Sequence, residues 1–267
     1  MVDSFRTMVS IICMSKWKKP VILCFWLVFW QMAAGLIHNS IMLVGPLETL
    51  LALWRLLPSG DFWHSVCSSL GRIMAGFLAA FAAGVLLGSL AYAIPLLGEF
   101  LEPLLLFLKS VPVASFVILA LIWAGSRNLS MVISFLVVFP VLYVNTRSGL
   151  ESTDAKLLEM AKVFRVSFWK KVRYIYMPAL VPYLLSGCRI ALGMSWKSGA
   201  AAEVIGLPEH SIGEHLYLAK IYLETADLFA WTLVIIFISA LFERLCLLFL
   251  TKLCPQKGEA ANETENP

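Results

Sequence analysis

Charged side chains are scarce in this sequence of 267 residues, because Asp, Glu, Lys and Arg make up only 14% of it. Soluble domains carry about 25% charged residues, so this chain cannot cover a water-facing surface of ordinary polarity. The rest is strongly apolar, with 60% hydrophobic residues and a mean hydropathy of +0.83. These values exclude a typical soluble enzyme and an intrinsically disordered protein, and they favour a helical protein that crosses a membrane several times.

Two common kinds of functional motif are also missing. The six cysteines form no C-x-x-C pair, and most of them lie in apolar stretches, which predicts neither a disulfide framework nor a zinc site. We expect them to be small buried apolar side chains. The sequence also lacks the phosphate-binding pattern G-x-x-x-x-G-K-[ST], so the chain is not expected to bind ATP itself.

Six apolar segments approach the roughly 20 residues that a helix needs to cross the hydrocarbon core of a bilayer. They are Val21–Ile37, Ile73–Leu97, Ser110–Ser126, Asn128–Thr146, Tyr174–Cys188 and Leu228–Phe242. The third is lengthened by Leu104–Leu108 across a single charge, and the sixth reaches full length only by continuing to Leu250. We therefore predict an all-α, polytopic membrane protein with about six transmembrane helices.

The positive charges are distributed unevenly between the connections. Four Lys or Arg residues precede the first span, seven lie between the fourth and fifth, and two follow the sixth, whereas the alternate connections hold one or two each. This asymmetry predicts that both termini and the loop 147–178 are cytoplasmic. We divide the chain into a cytoplasmic segment 1–20, a transmembrane domain 21–254 and a polar tail 255–267. We expect the first span to be retained as an anchor, because its apolar run is longer than a usual signal-peptide core.

Small residues recur at every fourth position in two of the spans, which places them on one face of each helix. The second span contains Gly76, Ala80, Gly84 and Gly88, and the fifth contains Gly187, Ala191, Ser195 and Gly199. Because lipid gives helices no hydrophobic reason to associate, small residues stabilise helix pairs by allowing close backbone approach. We predict tight helix packing at both stripes, with a subunit interface as the narrower alternative.

Several charged or polar side chains fall inside the apolar segments, where a charge at mid-bilayer costs about 2.5–3.5 kcal/mol on insertion scales. The candidates for lining a translocation path are Lys109, Arg189, Ser195, Trp196, Lys197 and Glu203. A positive side chain on such a path would suit an anionic solute. The alternatives are that the charged groups snorkel to the membrane surface or form structural pairs.

A catalytic metal site would have to use two Glu-His pairs after the fifth span, Glu209-His210 and Glu214-His215. The histidines are five residues apart, unlike the two in the zinc motif H-E-x-x-H. We therefore predict no metal site and no catalytic residue, and we expect this loop to contact water or another protein. Glu243-Arg244 in the last span is interpreted as a structural pair rather than a proton relay.

The basic connection 147–178 has the features of a folded segment. A serine, threonine or aspartate at 152–154 can cap a short helix, and apolar residues recur near helical spacing over Leu157–Phe164. A second helix can start at Ser167 and run toward Pro178. Such a capped amphipathic segment is suited to docking into a groove of a partner protein.

At this connection the sequence resembles the inner-membrane permeases of binding-protein-dependent ABC importers. Their signature is Glu-Ala-Ala, three residues, Gly, nine residues and then Ile-x-Leu-Pro. The spacing is kept here by Glu159-Met160-Ala161, by Arg165 at the glycine position and by Ile175-Tyr176-Met177-Pro178. Arg165 is the important departure, because glycine permits a left-handed turn between the two helices. Arginine there predicts a different turn or a cost of about 1 kcal/mol.

The resemblance extends over roughly residues 65–250. Ser69-x-x-Arg72, Lys109-Ser110-Val111-Pro112 and Trp123-Ala124-Gly125 are similar to the early part of the family. The stretch 187–206 is similar to the branch that transports nitrate, sulfonates and taurine.

The resemblance implies the type I ABC importer permease fold in a multi-pass protein of a bacterial-type cell membrane. It further implies transport of a small solute, such as the anions sulfonate or nitrate or the solute taurine, delivered by an external binding protein. The expected partners are two ATPase subunits that bind ATP and Mg, a second permease copy in a homodimer, and the lipid bilayer, without nucleic acid. The expected ATPase-coupling residues are Glu151, Asp154, Leu158, Glu159, Ala161, Arg165, Ile175 and Pro178.

Two other functions compete with this interpretation. A secondary transporter driven by an ion gradient would use the small-residue stripes and buried charges equally well. It would leave the folded cytoplasmic segment unexplained, and no clear inverted repeat is present. A membrane scaffold that transports nothing is the third possibility, and it would show no substrate-stimulated ATPase activity in an assembled complex.

Overall fold

The chain is seen in a computed structural model that describes residues 2–37, 39 and 41–253, with side chains for 20–37, 39 and 41–248. Every regular element in these residues is helical, which confirms the predicted all-α class. The helices are α1 Val2–Ile37, α2 Pro46–Leu56, α3 Gly60–Ala93, α4 Pro95–Ser110, α5 Val113–Glu151, α6 Ala155–Val163, α7 Phe168–Lys171, α8 Met177–Gly206, α9 Ile212–Ile221 and α10 Thr225–Leu253, with a π-helix over Val172–Tyr176. Helix α1 continues across residue 20, where the sequence placed the start of the transmembrane domain. The predicted tail 255–267 lies outside the described residues. Both predicted domain boundaries therefore stay predictions.

The described residues form two compact units. One is built from the described parts of Met1–Phe62 and His215–Leu233, the other from Trp63–Glu214 and the described part of Val234–Pro267. In the first unit, Arg55 Nη2 pairs with Asp227 Oδ1 at 2.6 Å, and the ring centroids of Phe62 and Trp231 are 4.9 Å apart. The second unit contains the folded connection and the candidate path residues.

Five helices in the described residues are long and apolar enough to cross a membrane. They cover Pro20–Ile37, Gly60–Ala93, Val113–Glu151, Phe168–Gly206 and Thr225–Leu248. The predicted third and fourth spans both fall largely within α5, which has 39 residues. A straight helix of that length would extend about 58 Å, nearly twice the roughly 30 Å of a hydrocarbon core.

Helix α5 is not straight, because it breaks at Gly125. This residue has φ +71° and ψ 170°, a backbone conformation that glycine adopts far more readily than residues with side chains. Leu121 and Leu129 both contact the position that a Cβ on Gly206 would occupy. The non-helical backbone of Gly125 lies between these two residues, so the helix is kinked there. The two limbs of α5 are residues 113–124 and 126–151.

The second limb of α5 runs in the same direction as α3. Gly76 of α3 lies against Met131, and Gly88, about three turns later, lies against Thr146. Because α3 and this limb run in the same direction, the segment that connects them must run back in the opposite direction.

Helix α4 and the first limb of α5 make that return. A Cβ added to Gly98, near the start of α4, would lie 3.2 Å from Nη1 of Arg147, which is near the end of α5. Between α4 and the first limb, the backbone is extended at Val111 and Pro112, with ψ near 130° at both residues. The predicted third span therefore exists as two helical pieces, α4 and the first limb of α5.

Both small-residue stripes pack inside the chain. A Cβ added to Gly84 would lie 2.8 Å from Cβ of Leu142, and one added to Gly187 would lie 2.8 Å from Cγ of Asn145, so both stripes face the second limb of α5. Within the same stripes, Ala80 and Ala191 are fully buried, and Gly199 packs against Ile73 and Ser134. Close backbone approach through small residues holds these helices together.

A pair of glycines on α3 provides a direct test of this packing. We expect Gly76→Ala to destabilise the protein by about 1–3 kcal/mol, because the new Cβ would overlap the carbonyl oxygen of Met131. Gly71→Ala is the matched control, since no atom lies within 4 Å of its added Cβ, and alanine favours a helix by up to about 1 kcal/mol. Thermal unfolding in detergent measures both, and equal midpoints would contradict the packing.

Candidate functional site

The connection between α5 and α8 folds as a short helix, a tight turn and the beginning of a longer helix. A side-chain oxygen of Asp154 accepts a hydrogen bond from the backbone N–H of Lys156 at 2.8 Å, so Asp154 is the residue that caps α6. Ser167 directly precedes α7, where the sequence predicts a second helix to start. Helical structure then continues through the π-helix into α8.

Arg165 adopts the left-handed conformation, with φ +49°, in the turn after α6. Its backbone N–H donates to the carbonyl oxygen of Lys162 at 3.2 Å, and the N–H of Val166 donates to that of Ala161 at 2.9 Å. These two bonds form a Schellman motif, a helix ending that usually contains glycine. The left-handed turn is therefore formed without its glycine, at a cost of about 1 kcal/mol.

The side chains of α6 separate into a buried anchor and an exposed face. Ala161 is fully buried, whereas Glu159 is exposed. Three apolar side chains close to Glu159 in sequence are exposed as well: 48% for Met160, 78% for Val163 and 74% for Phe164. An exposed apolar surface of this kind is typical of a site that contacts another protein or the membrane. The sequence pattern grouped Phe164 with the apolar face but did not single out Val163.

The other predicted coupling residues lie on the same continuous segment. Glu151 ends α5, and its Oε1 is 2.7 Å from Nε of Arg147. Leu158 is half-buried on α6, Ile175 lies in the π-helix, and Pro178 is the second residue of α8. The structure thus brings all eight residues onto the connection, and their part in coupling stays a prediction.

The candidate path residues occupy different environments. The side chains of Lys109, Arg189 and Lys197 are exposed, whereas Ser195 and Trp196 are buried. Among the described residues, neither Oγ of Ser195 nor Nε1 of Trp196 has a hydrogen-bond partner. The three cations are therefore the members of this set that a solute or a neighbouring subunit can reach.

Glu203 lies fully buried where α3, α5, α8 and the start of α9 meet. Its Oε2 accepts hydrogen bonds from Oγ of Ser69 at 2.6 Å and from the N–H of Gly213 at 3.4 Å. Its Oε1 accepts from Oγ of Ser130 at 3.2 Å and lies 3.4 Å from Nε of Arg72. Because these partners surround the carboxylate, the geometry favours the structural-pair alternative for this residue.

The same junction holds the loop between α8 and α9. Oγ of Ser69 accepts a hydrogen bond from the N–H of Ile212 at 2.9 Å, and Nη2 of Arg72 donates to the carbonyl oxygen of His210 at 3.2 Å. Leu207 and His210 both have positive φ, at 47° and 52°. Ser69 and Arg72 lie three residues apart, which puts both side chains on one face of α3.

The two histidines that were considered for a metal site each contact another aromatic ring. In the first unit, Nε2 of His215 lies 3.3 Å from Oδ2 of Asp61, and its ring stacks on Trp231 with centroids 4.5 Å apart. In the second unit, the ring of His210 meets that of His64 edge to face. The expectation that the two Glu-His pairs hold no metal stays a prediction.

The fold and this site define a class of protein: a polytopic helical membrane subunit with a folded segment between two spans, suited to docking a partner. The chain belongs to the family described as the inner membrane component of binding-protein-dependent transport systems, which matches residues 73–253. It is 29% identical over 218 residues to the putative aliphatic sulfonates transport permease protein SsuC of Bacillus subtilis (strain 168), covering 80% of this chain and 78% of SsuC.

Two further similarities accompany this one. Over 151 residues the chain is 32% identical to the bicarbonate transport system permease protein CmpB of Synechocystis sp., covering 56% of this chain and 53% of CmpB. Among solved structures, a chain of the inward-facing MetNI methionine ABC transporter matches with a TM-score of 0.49 and 15% identity, over 74% of this chain and 97% of that chain.

Family membership decides between the functions left open by the sequence. The chain is a multi-pass inner-membrane permease subunit of an ABC importer and thus a transport component. A secondary transporter driven by an ion gradient is not favoured.

Proposed function

We propose that this chain couples ATP hydrolysis on separate ATPase subunits to movement of a small solute through a path that it forms with a second copy of itself. The observation that carries the proposal is the α6 surface, where exposed Glu159 and the apolar side chains of Met160, Val163 and Phe164 are held by buried Ala161. A rigid, partly apolar helix on a membrane protein is suited to a groove on a partner.

The turn at Arg165 supports transmission of force through this segment. Its Schellman bonds fix the exit of the chain from α6, and the helical structure from Phe168 onward continues into α8. A displacement of α6 by the ATPase subunits would therefore move the start of α8 rather than be absorbed by a flexible loop. Closing of the ATPases would in this way change which side of the membrane the path opens to.

The sequence supports the proposed orientation and the proposed location of the cofactors. The excess of Lys and Arg in the connection 147–178 and near both termini supports a cytoplasmic position for these parts. ATP and Mg would bind to the partner ATPases, since this sequence has no phosphate-binding loop. A binding protein on the opposite face would deliver the solute.

The substrate class is proposed from the relatives and from the exposed cations. SsuC and CmpB carry the names of aliphatic sulfonates and bicarbonate, which are small anions at neutral pH. The exposed side chains of Lys109, Arg189 and Lys197 provide positive charge on the permease for such a solute. We therefore propose a small solute that carries an oxyanion group, such as a sulfonate, taurine or nitrate.

Reconstitution tests the proposed function. We expect liposomes containing this permease and its ATPase subunits, with the binding protein added outside, to accumulate solute only when ATP is present inside. Liposomes with the permease alone serve as the control, at matched protein density and with an imposed ion gradient. Gradient-driven uptake by the permease alone would overturn the proposal.

A further inference from the structure

Aromatic and cationic side chains share one face of the helical segment that leads into α8. Exposure alternates in pairs along this segment, with two exposed residues followed by two half-buried ones. Residues four apart are neighbours on a helix surface, so the two exposed pairs form one continuous face. We call it the aromatic–cationic face, and its residues are Trp169, Lys170, Arg173 and Tyr174.

The half-buried side of the same segment packs on the rest of the second unit. The ring of Tyr176 meets that of Tyr92 of α3 edge to face, with centroids 6.0 Å apart. About one turn later, Leu180 is buried against Gly149 of α5. The aromatic–cationic face therefore points away from α3 and α5, and its rings are left 79% exposed at Trp169 and 74% exposed at Tyr174.

The charge around this face is of one sign. Five cations lie in residues 162–173, and the sequence contains no Asp or Glu between Glu159 and Glu203. Within the part of the chain that the structure describes, Lys170 and Arg173 form no ion pair. A cluster of about four to eight Lys or Arg residues directly beside a transmembrane helix attracts anionic lipid headgroups.

The position of the face along the helix fits the headgroup region of a bilayer. The candidate span Phe168–Gly206 has 39 residues, about 58 Å of helix, whereas a hydrocarbon core is about 30 Å thick. Its uncharged apolar run begins only at Tyr174, so the cations lie where the helix leaves the core. Trp and Tyr are enriched at this boundary, and long cationic side chains extend to the membrane surface there.

We propose that the aromatic–cationic face is a binding site for the headgroup of an anionic phospholipid. Lys170 and Arg173 bind the phosphate, and the rings of Trp169 and Tyr174 lie beside it at the headgroup level. Arginine binds two phosphate oxygens at once, whereas lysine acts as a point charge. The inference goes beyond the proposed function, since the site does not depend on the solute or on coupling to an ATPase.

Titration with two lipids of identical acyl chains tests the site. We expect the purified permease in a neutral detergent to bind dioleoylphosphatidylglycerol about tenfold more tightly than dioleoylphosphatidylcholine, measured as thermal stabilisation against lipid concentration. Lys170→Gln combined with Arg173→Gln should reduce this preference to about twofold, because the two cations beside the phosphate are lost. Without added lipid, this double variant should unfold at the same temperature as the unmodified chain, because both side chains are exposed.

The neighbouring helix α6 provides the matched control. Lys156→Gln combined with Lys162→Gln removes the same charge from two exposed lysines of the same connection, outside the aromatic–cationic face. We expect this double variant to keep the preference for dioleoylphosphatidylglycerol. Equal losses in the two double variants would show a general effect of positive charge and overturn the site.

Further variants separate the role of the charges from that of the rings. Lys170→Arg combined with Arg173→Lys exchanges the two cations and should keep the preference. Trp169→Ala should weaken binding of both lipids about threefold and leave their ratio unchanged, because the ring contacts the headgroup region whatever its charge. A ratio that falls in Trp169→Ala as far as in the glutamine variant would overturn the assigned roles.

Salt and partner binding complete the test. Raising the salt concentration from about 0.05 M to about 0.5 M should lower the preference of the unmodified permease severalfold, because ions screen the attraction. Equal binding of both lipids at low salt would overturn the site. An unchanged preference in Lys170→Gln with Arg173→Gln would also overturn it, and loss of ATPase co-purification in that variant would assign the face to the ATPase instead.

Discussion

Replacing Glu203 with alanine is expected to destabilise the permease by about 3–5 kcal/mol, a large part of the total stability of most domains. The variant leaves the guanidinium of Arg72, whose side chain is only 15% exposed, without its counter-charge. It also leaves the buried hydroxyls of Ser69 and Ser130 without their acceptor. The yield of monodisperse protein after detergent extraction and its unfolding midpoint measure the loss.

Two further variants show whether the effect comes from the buried charge. Arg72→Met combined with Glu203→Leu removes both charges. We therefore expect the double variant to lose less stability than the sum of the losses of Arg72→Met and Glu203→Leu made singly. Glu209→Ala removes an exposed carboxylate near the same loop and should change stability by less than about 0.5 kcal/mol. If Glu203→Ala were as stable as Glu209→Ala, the junction would not hold α3, α5 and α8 together.

The sequence could not predict this junction because its members are far apart in the chain. Ser69 and Glu203 are separated by 134 residues, and Ser130 and Glu203 by 73. Hydropathy identifies a carboxylate in an apolar segment but does not identify its partners. From the sequence alone Glu203 was therefore a candidate for the path, whereas its hydrogen bonds favour a structural role.

Local patterns were more informative. The helix class, the capping of α6 within residues 152–154 and the start of α7 after Ser167 all follow from short-range preferences, and the structure agrees with each. The return made by α4 and the first limb of α5 was predicted as one span, although Pro112 disfavours the helical conformation at Val111 and so explains the break between the two pieces. The apolar run of the fifth span was placed at Tyr174–Cys188, whereas its small-residue stripe extended the helix to Gly199, and α8 continues to Gly206.

Arg165 shows how far a motif can be used. The missing glycine left two expectations, a different turn or the same turn at an energetic cost. The positive φ and the two Schellman bonds select the second. A motif therefore identified the position of the turn, whereas the backbone geometry was needed to show that arginine adopts it.

Charge reversal at Glu159 is expected to abolish ATP-dependent uptake while the permease still inserts and folds. Glu159 is exposed on α6, so Glu159→Lys should change stability by no more than about 0.5 kcal/mol. The substitution would put a positive charge into the surface proposed to dock the ATPase, where a like-charged or desolvated contact costs several kcal/mol of binding free energy. Uptake in liposomes and co-purification of the ATPase with tagged permease are the two measurements.

Glu99→Lys is the matched control. It reverses an exposed carboxylate on α4, outside the exposed surface of α6, so uptake and ATPase co-purification should match those of the unmodified chain. Loss of uptake in Glu159→Lys with the ATPase still bound would indicate that the residue acts after docking. Normal uptake in Glu159→Lys would remove α6 from the coupling mechanism, because no other exposed carboxylate lies on that helix.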